Sequence, residues 1–124
     1  GTDGRRYPWG NAWDASRCNN KDTGPGKTTP VGQYPTEGFP YDVADMVGQV
    51  WEWCSTKWGR QYTDPANLKW EDEEGNDSRI VRGGSWYDSD PAGICRCGCR
   101  GWLDPGLGVS LRGFRCVRIS PQKP

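Results

Sequence analysis

Apolar residues cluster in two short stretches of this 124-residue chain and do not repeat with a long helical period. Residues 50–54 form an apolar run with a single acid, Glu52, and residues 79–82 lead into the sequence GGSW. Short apolar runs bounded by glycine are typical of buried strands. Residues 43–48 fit one helical turn, so the pattern predicts short strands, little helix and much ordered loop.

A segment of different character lies between GGSW and the later sequence GFRCV. Residues 87–112 are rich in Gly, Cys, Asp and Arg and show neither a strand nor a helix period. The flanking residues Trp86 and Phe114 are expected in the core. The segment is therefore predicted to be irregular surface held between two fixed elements, which is where binding sites usually lie.

The rest of the chain is predicted to be ordered loop around aromatic side chains. Trp9, Trp13 and Tyr34 are expected to hold the first third of the chain to the core, because the sequence has eight Trp but only one Met. The acidic run at residues 71–77 predicts a solvated loop.

Composition narrows the class of protein. Eighteen Gly and ten Pro favour turns and loops, and the length fits one domain, residues 1–124. Sixteen basic residues balance sixteen acidic ones without a basic stripe, so nucleic acid is not expected as a partner. No membrane span is predicted, a monomer is expected, and the sequence assigns no compartment.

The absence of histidine removes most hydrolase chemistry and histidine-ligated zinc. Six cysteines remain, and most are expected to be free thiols, with at most one or two disulfides. Cys95, Cys97 and Cys99 alternate with other residues, so on a strand their sulfurs would share one face. A thiolate metal site, redox chemistry and unreactive thiols all stay open.

Glu52 lies between Trp51 and Trp53 in the sequence. Burying a carboxylate among apolar side chains costs free energy unless the carboxylate is paired. A turn at Gly48 could bring Asp45 beside Glu52, and oxygen ligands of this kind suit Ca²⁺. Pairing of Glu52 with an arginine, or capping of backbone N–H groups, is the alternative.

Several blocks of the sequence resemble the formylglycine-generating, sulfatase-modifying domain, which has a variant C-type lectin fold. They are YPWGN, TTPVG, PYDVADMVGQVWEWC, RIVRGGSW, RCGCR and GFRCVR, in that order. The resemblance implies a loop-rich α+β fold with few short helices and short antiparallel strands. By this resemblance, the N-terminal portion of that family's domain is expected to be absent or minimal in this sequence.

The resemblance also bears on the chemistry. The calcium loop of the family maps onto the side chains of Asp45 and Glu52 and the carbonyls of Gly48 and Val50. The catalytic cysteine pair does not carry over, since Asp88 stands where the first cysteine would be. The histidines of iron-dependent relatives are missing too, so copper and iron are not expected and oxidase activity is the alternative.

A second resemblance is to the variable proteins of diversity-generating retroelements, which share this lectin-like fold. In those proteins mutagenesis at AAC codons rewrites the segment between GGSW and GFR, and the resulting codons exclude Lys, Glu, Gln, Met and Trp. These five types fill 22 of the 98 residues outside the segment, which predicts about six in its 26 (26 × 22/98). Only Trp102 is present.

The function implied is a receptor-type binding protein with a diversified loop surface, and an undiversified binding module of the same fold is a further alternative. A protein is expected as the ligand, of unknown identity. The candidate contact residues are Tyr87, Asp88, Ser89, Cys99, Gly101, Trp102, Leu103, Asp104 and Leu107.

Overall fold

The fold is built on a small four-stranded sheet in a computed structural model that describes residues 2–59, 74–90 and 93–117. The strands are β1 (Trp51–Lys57), β2 (Arg79–Arg82), β3 (Gly101–Leu103) and β4 (Arg112–Gly113), in the order β3-β2-β1-β4. β2 pairs antiparallel with β1 and β3, whereas β4 runs parallel to β1. The expectation of short strands is confirmed, but the strands are not all antiparallel.

The named helical element is a 3-10 turn at Ala15–Arg17 that the Asp14 side chain caps. The helical turn predicted at residues 43–48 is wrong. Asp45 and Gln49 have φ of 56° and 58°, a left-handed conformation that no right-handed helix can continue through. Gly48, between them, has φ of 77° and pairs with Asn19 in an isolated parallel bridge.

The interior combines few aliphatic residues with buried amides. Ile80 and Val81 of β2 are buried, and Cys18, Val47 and Cys95 form a small cluster against which Trp9 and Trp13 pack. The expectation that Trp9 and Trp13 hold the first third to the core is confirmed, and Tyr34 is half-buried.

A buried amide network joins the loops that the sheet does not reach. Gln49 Oε1 accepts hydrogen bonds from Asn19 Nδ2 at 3.0 Å and from Thr29 N at 3.1 Å, and its Nε2 donates to Thr29 Oγ1 at 2.6 Å. Asn20 Nδ2 donates to the Ala15 carbonyl at 2.7 Å. Because buried polar groups are stable only when hydrogen-bonded, these bonds fix the irregular first third of the chain.

The prediction that Phe114 lies in the core is wrong. Its side chain is 77% exposed, because β4 ends at Gly113 and the chain to Val117 runs over the surface. Trp86, by contrast, is half-buried, and its backbone N–H donates to the Gln49 carbonyl. Of the predicted acidic loop, residues 74–77 are exposed and residues 71–73 lie outside the described residues.

Candidate functional site

The segment that follows β2 turns sharply at two glycines and is then held from the inside by a carboxylate. Gly83 and Gly84 have φ of 93° and 74°. Asp88 Oδ2 accepts hydrogen bonds from Ser85 N at 2.9 Å, Ser85 Oγ at 2.6 Å and Trp51 Nε1 at 2.9 Å. The Asp88 carboxylate thus ties the segment to β1 and does not face outward as a ligand contact.

The Trp51 indole also lies against β3. A Cβ atom on Gly101 would be 3.6 Å from Trp51 Cζ3 and 3.2 Å from Val81 Cγ2. Only a residue without a side chain allows this approach without displacing its neighbours. Asp88 and Gly101 are both predicted as ligand contacts, and both lie against Trp51. They therefore support the loop from inside and do not form its exposed face.

Further anchors hold the backbone at Asp88 and at residues 97–99, shortly before β3. Asp88 O accepts from Lys21 N at 2.9 Å, and Cys97 N donates to Arg6 O at 2.7 Å. Arg82 Nη1 donates to the carbonyls of Cys97 and Cys99 at 3.2 Å each. The segment has little regular structure, yet its path is set by the N-terminal loop and by β2.

The predicted contact residues divide by exposure. Tyr87, Trp102 and Leu107 are 56%, 54% and 59% exposed. Asp104 is also exposed, and its carboxylate caps a tight turn by accepting from Gly106 N at 2.8 Å. The half-buried members of the set are Asp88, Ser89, Cys99, Gly101 and Leu103.

Trp58 belongs to the same surface, although it lies far from the segment in sequence. Its ring is 6.2 Å from that of Trp102, and the Arg100 guanidinium lies over it at 5.5 Å. A lone tryptophan in a polar stretch after a strand was the signal that could have indicated it. The exposed loop surface is defined as the exposed side chains of Trp58, Tyr87, Trp102, Asp104 and Leu107, of which three are aromatic and one is a carboxylate. Trp58 and Trp102 adjoin each other just after the end of β1, whereas Tyr87 lies beside its start.

An open cleft of about 640 Å³ lies beside Leu107, between the loop at residues 105–112 and β1. Trp53 lines it, with the Arg112 guanidinium 6.0 Å above the Trp53 ring. Arg112 Nη1 donates to Leu107 O at 2.6 Å, which holds the loop in place.

The cysteines do not form the shared face that their spacing suggested. All six are free thiols, and residues 95–99 lie in turns, so Cys95 is buried, Cys97 exposed and Cys99 half-buried. Burial raises the pKa of Cys95 to about 12, and the pKa of Cys97 is raised by the same cause. Within the described parts of the chain no group of three metal-binding side chains is found.

Glu52 is paired with an arginine in this structure. Arg115 Nε donates to Glu52 Oε2 at 2.6 Å and its Nη2 contacts Oε1. The same guanidinium donates to the carbonyls of Ala44 and Asp45 at 3.1 Å each. The carboxylate of Glu52 raises the pKa of Arg115.

The predicted calcium ligands do not fit a cation while this pairing holds. Both Glu52 oxygens are occupied by Arg115. Asp45 Oδ2 accepts from Gly32 N at 2.9 Å, and its buried Oδ1 has no hydrogen-bond partner among the described residues. One free carboxylate oxygen beside a guanidinium is a poor site for Ca²⁺, which takes six to eight oxygen ligands. Gly48 and Val50 lie on the turn between the two acids.

A family model described as "Sulfatase-modifying factor enzyme 1-like domain" matches residues 1–120. Hercynine oxygenase of Mycolicibacterium smegmatis is 33% identical over 94% of this chain and 28% of its own length. The serine/threonine-protein kinase pkn1 of Chlamydia caviae is 34% identical over 91% of this chain and 18% of its own. The inactive C-alpha-formylglycine-generating enzyme 2 of Bos taurus is 28% identical over 100% of this chain and 41% of its own.

Among solved structures, variable protein 1 of Treponema denticola matches with a TM-score of 0.65 and 26% identity. The match covers 90% of this chain and 40% of that one, so the chain spans less than half the length of these relatives. The loop-rich C-type lectin-like fold implied by the resemblance is confirmed. No helix in the described residues is long and apolar enough to cross a membrane.

Proposed function

The chain belongs to the family of sulfatase-modifying factor enzyme 1-like domains, and from this premise we propose that it is a ligand-binding module whose contacts are made by the exposed loop surface. The observation that carries the proposal is the division within residues 87–107. Asp88 and Gly101 face the frame, whereas Tyr87, Trp102 and Leu107 project into solvent. Large aromatic side chains on a fixed backbone are typical of binding surfaces.

A surface of this kind tolerates exchange of its side chains. The loop backbone is held by the inward-facing side chains of Asp88 and Arg82 and by the main-chain N–H of Cys97. None of these hydrogen bonds uses an exposed side chain of the loop surface. The identities of Tyr87 and Leu107 therefore contribute little to folding. This is the property required of a diversified receptor, and the likeness in fold to a protein named variable protein 1 supports it.

The ligand that we propose is a protein. Three of the five exposed side chains are aromatic, and Tyr87 and Trp102 supply rigid apolar area with two rotatable bonds each. Asp104 would select for a hydrogen-bond donor or a cation on the partner. The open cleft beside Leu107 would receive a side chain of that partner.

Oxidase activity is the second candidate, and the contacts of Asp88 disfavour it. By the resemblance Asp88 stands at the first catalytic cysteine, and its carboxylate already accepts three hydrogen bonds. The next thiol along the chain, Cys95, is buried and its pKa is raised to about 12, so little thiolate forms at neutral pH. One relative is itself named an inactive enzyme.

The decisive test of diversification is genomic. We expect a reverse transcriptase gene nearby, with a near-copy of the 87–112 coding segment that differs only where the copy has adenine. Absence of such a repeat would leave an undiversified binding module. Conversion of a cysteine in a sulfatase peptide to an aldehyde, with Cu(I) and oxygen present, would instead favour the enzyme.

Substitution tests the binding surface directly. Tyr87→Ser and Leu107→Ser should each change the free energy of unfolding by about 0.5 kcal/mol or less, because exposed side chains away from caps contribute little. Urea denaturation measures this. A loss of about 2 kcal/mol or more for either variant would make the loop structural and contradict an exchangeable surface.

We propose calcium binding at Asp45, Gly48, Val50 and Glu52 only when the Arg115 side chain no longer pairs with Glu52. The melting temperature of the wild type should be the same in EDTA and in millimolar Ca²⁺. In Arg115→Ala, Ca²⁺ should raise it, because a ligand at ten times its Kd stabilises by about 1.4 kcal/mol. Mg²⁺, which demands stricter geometry, is the control cation. A Ca²⁺ effect on the wild type would contradict the competition.

A further inference from the structure

A second cleft has a volume of about 260 Å³. Its lining is largely apolar and comes from the chain around residues 39–47 together with Pro8. The apolar residues that matter most are Phe39, Tyr41, Val43, Met46 and Val47. Tyr41, Val43 and Met46 are themselves 70%, 37% and 44% exposed, so the cleft is open to solvent.

Among the described residues, the charged side chains that line this cleft are all arginines, namely Arg5, Arg82 and Arg96. Arg5 is engaged by Asp3, at 2.5 Å from Nη2 to Oδ2, and by the carbonyls of Pro8 and Gly38. Arg82 donates to backbone carbonyls of the loop at residues 97–99. These two arginines therefore shape the rim of the cleft.

Arg96 differs from the other two. It is exposed and, within the described residues, forms no salt bridge. Its guanidinium lies beside the Tyr7 hydroxyl, which donates to Asp90 behind it. A planar guanidinium at the mouth of an apolar cleft matches a carboxylate, because the two can form paired hydrogen bonds.

We propose that this cleft binds a small organic carboxylate with an aromatic or branched apolar body. The carboxylate pairs with Arg96, and the body packs against Phe39, Met46 and Val47. The volume suits a ligand smaller than a drug-sized molecule. This site goes beyond the proposed binding surface, since none of Trp58, Tyr87, Trp102, Asp104 and Leu107 lines it.

The experiment is a titration followed by amide chemical shifts, with phenylacetate as the probe. Phenylacetate should bind with a Kd of about 1 mM or below, as expected for ten heavy atoms in a good site. Phenylacetamide, which lacks the charge, and acetate, which lacks the ring, should each bind at least fivefold more weakly. No shift changes with phenylacetate at 10 mM, or equal binding of the acid and the amide, would overturn the proposal.

Variants separate the two parts of the site. Arg96→Gln should weaken phenylacetate about tenfold and leave phenylacetamide unchanged. Arg6→Gln is the matched control, since Arg6 is exposed nearby but does not line this cleft, and it should have no effect. Met46→Gln should weaken the acid and the amide alike. If both arginine variants act equally, the effect is general charge and the site is refuted.

Sedimentation of the same proteins tests whether a second copy of the chain, and not a small carboxylate, occupies the cleft. The wild type should sediment as a monomer at the titration concentration. A dimer that Met46→Gln dissociates would assign the cleft to a second copy of the chain and overturn the carboxylate site.

Discussion

Replacing Gly48 by Ala is expected to lower the free energy of unfolding by about 4 kcal/mol. Gly48 has φ of 77°, which costs an L-residue about 1–2 kcal/mol. In addition, the new Cβ would fall onto the Asn19 carbonyl, 2.9 Å from its carbon and 3.2 Å from Asn19 N. The clash is with backbone that is itself hydrogen-bonded, so relief requires the two loops to separate.

Gly26→Ala is the matched control for Gly48→Ala. Gly26 has a similar φ of 73°, but no atom of the described chain lies within 4 Å of the position its Cβ would take. This variant should lose only the backbone term, about 1 kcal/mol. Urea denaturation of both variants measures the difference. If they are equally stable, the close approach between Asn19 and Gly48 is not a tight packing constraint.

Asp88→Ala is expected to cost about 3 kcal/mol, the second largest effect. Asp88 Oδ2 is the acceptor for Trp51 Nε1, Ser85 N and Ser85 Oγ. Ser85 is fully buried, and a buried donor left without an acceptor costs about 1–3 kcal/mol. Thermal unfolding measures the loss, and the indole N–H resonance of Trp51 in an NMR spectrum should shift when its acceptor is removed.

Asp104→Ala supplies the comparison within the same segment. Asp104 is exposed and accepts from Gly106 N within its own turn, so its loss should cost about 0.5 kcal/mol. Equal stability losses for the Asp88 and Asp104 variants would mean that the segment has no inner and outer side. The proposed division between frame and binding surface would then fail.

Much of the fold could be predicted from the sequence because its strands carry local signals. The apolar run at residues 50–54 starts one residue before β1, residues 79–82 coincide with β2, and the double glycine marks the turn that follows. The block order also indicated the lectin-like fold, which the likeness to a solved structure confirms. Apolar patterns and the order of motifs depend only on the sequence, so they can be recognised without knowing which residues contact one another in the fold.

The direction of individual side chains was not predictable in the same way. Asp88 looks like a surface acid in sequence, but the Trp51 indole, 37 residues away, turns it inward. Phe114 looks like a core residue, yet β4 ends before it. The turn at residues 43–48 has helix-compatible composition, and the left-handed Asp45 and Gln49 decide against it. Only for Asp88 is the deciding contact with a residue far along the chain, whereas the other two outcomes depend on where β4 ends and on backbone conformation.

Arg115 shows the same limit at the predicted calcium loop. The sequence left a cation and an arginine both open as partners of Glu52. Arg115 lies 63 residues further along, and only the parallel pairing of β1 with β4 brings it alongside. Glu52 pairs with Gly113 in that register, two residues before Arg115.

The parallel pairing of β1 with β4 also bears on how fast the chain can fold. Trp51 pairs with Arg112, Asn19 with Gly48, and Tyr7 with Asp90, so the fold closes large loops before these contacts can form. High contact order of this kind places small domains in the millisecond-to-second range. During that interval β1 has one unpaired edge, and newly made chains are then exposed to intermolecular strand pairing.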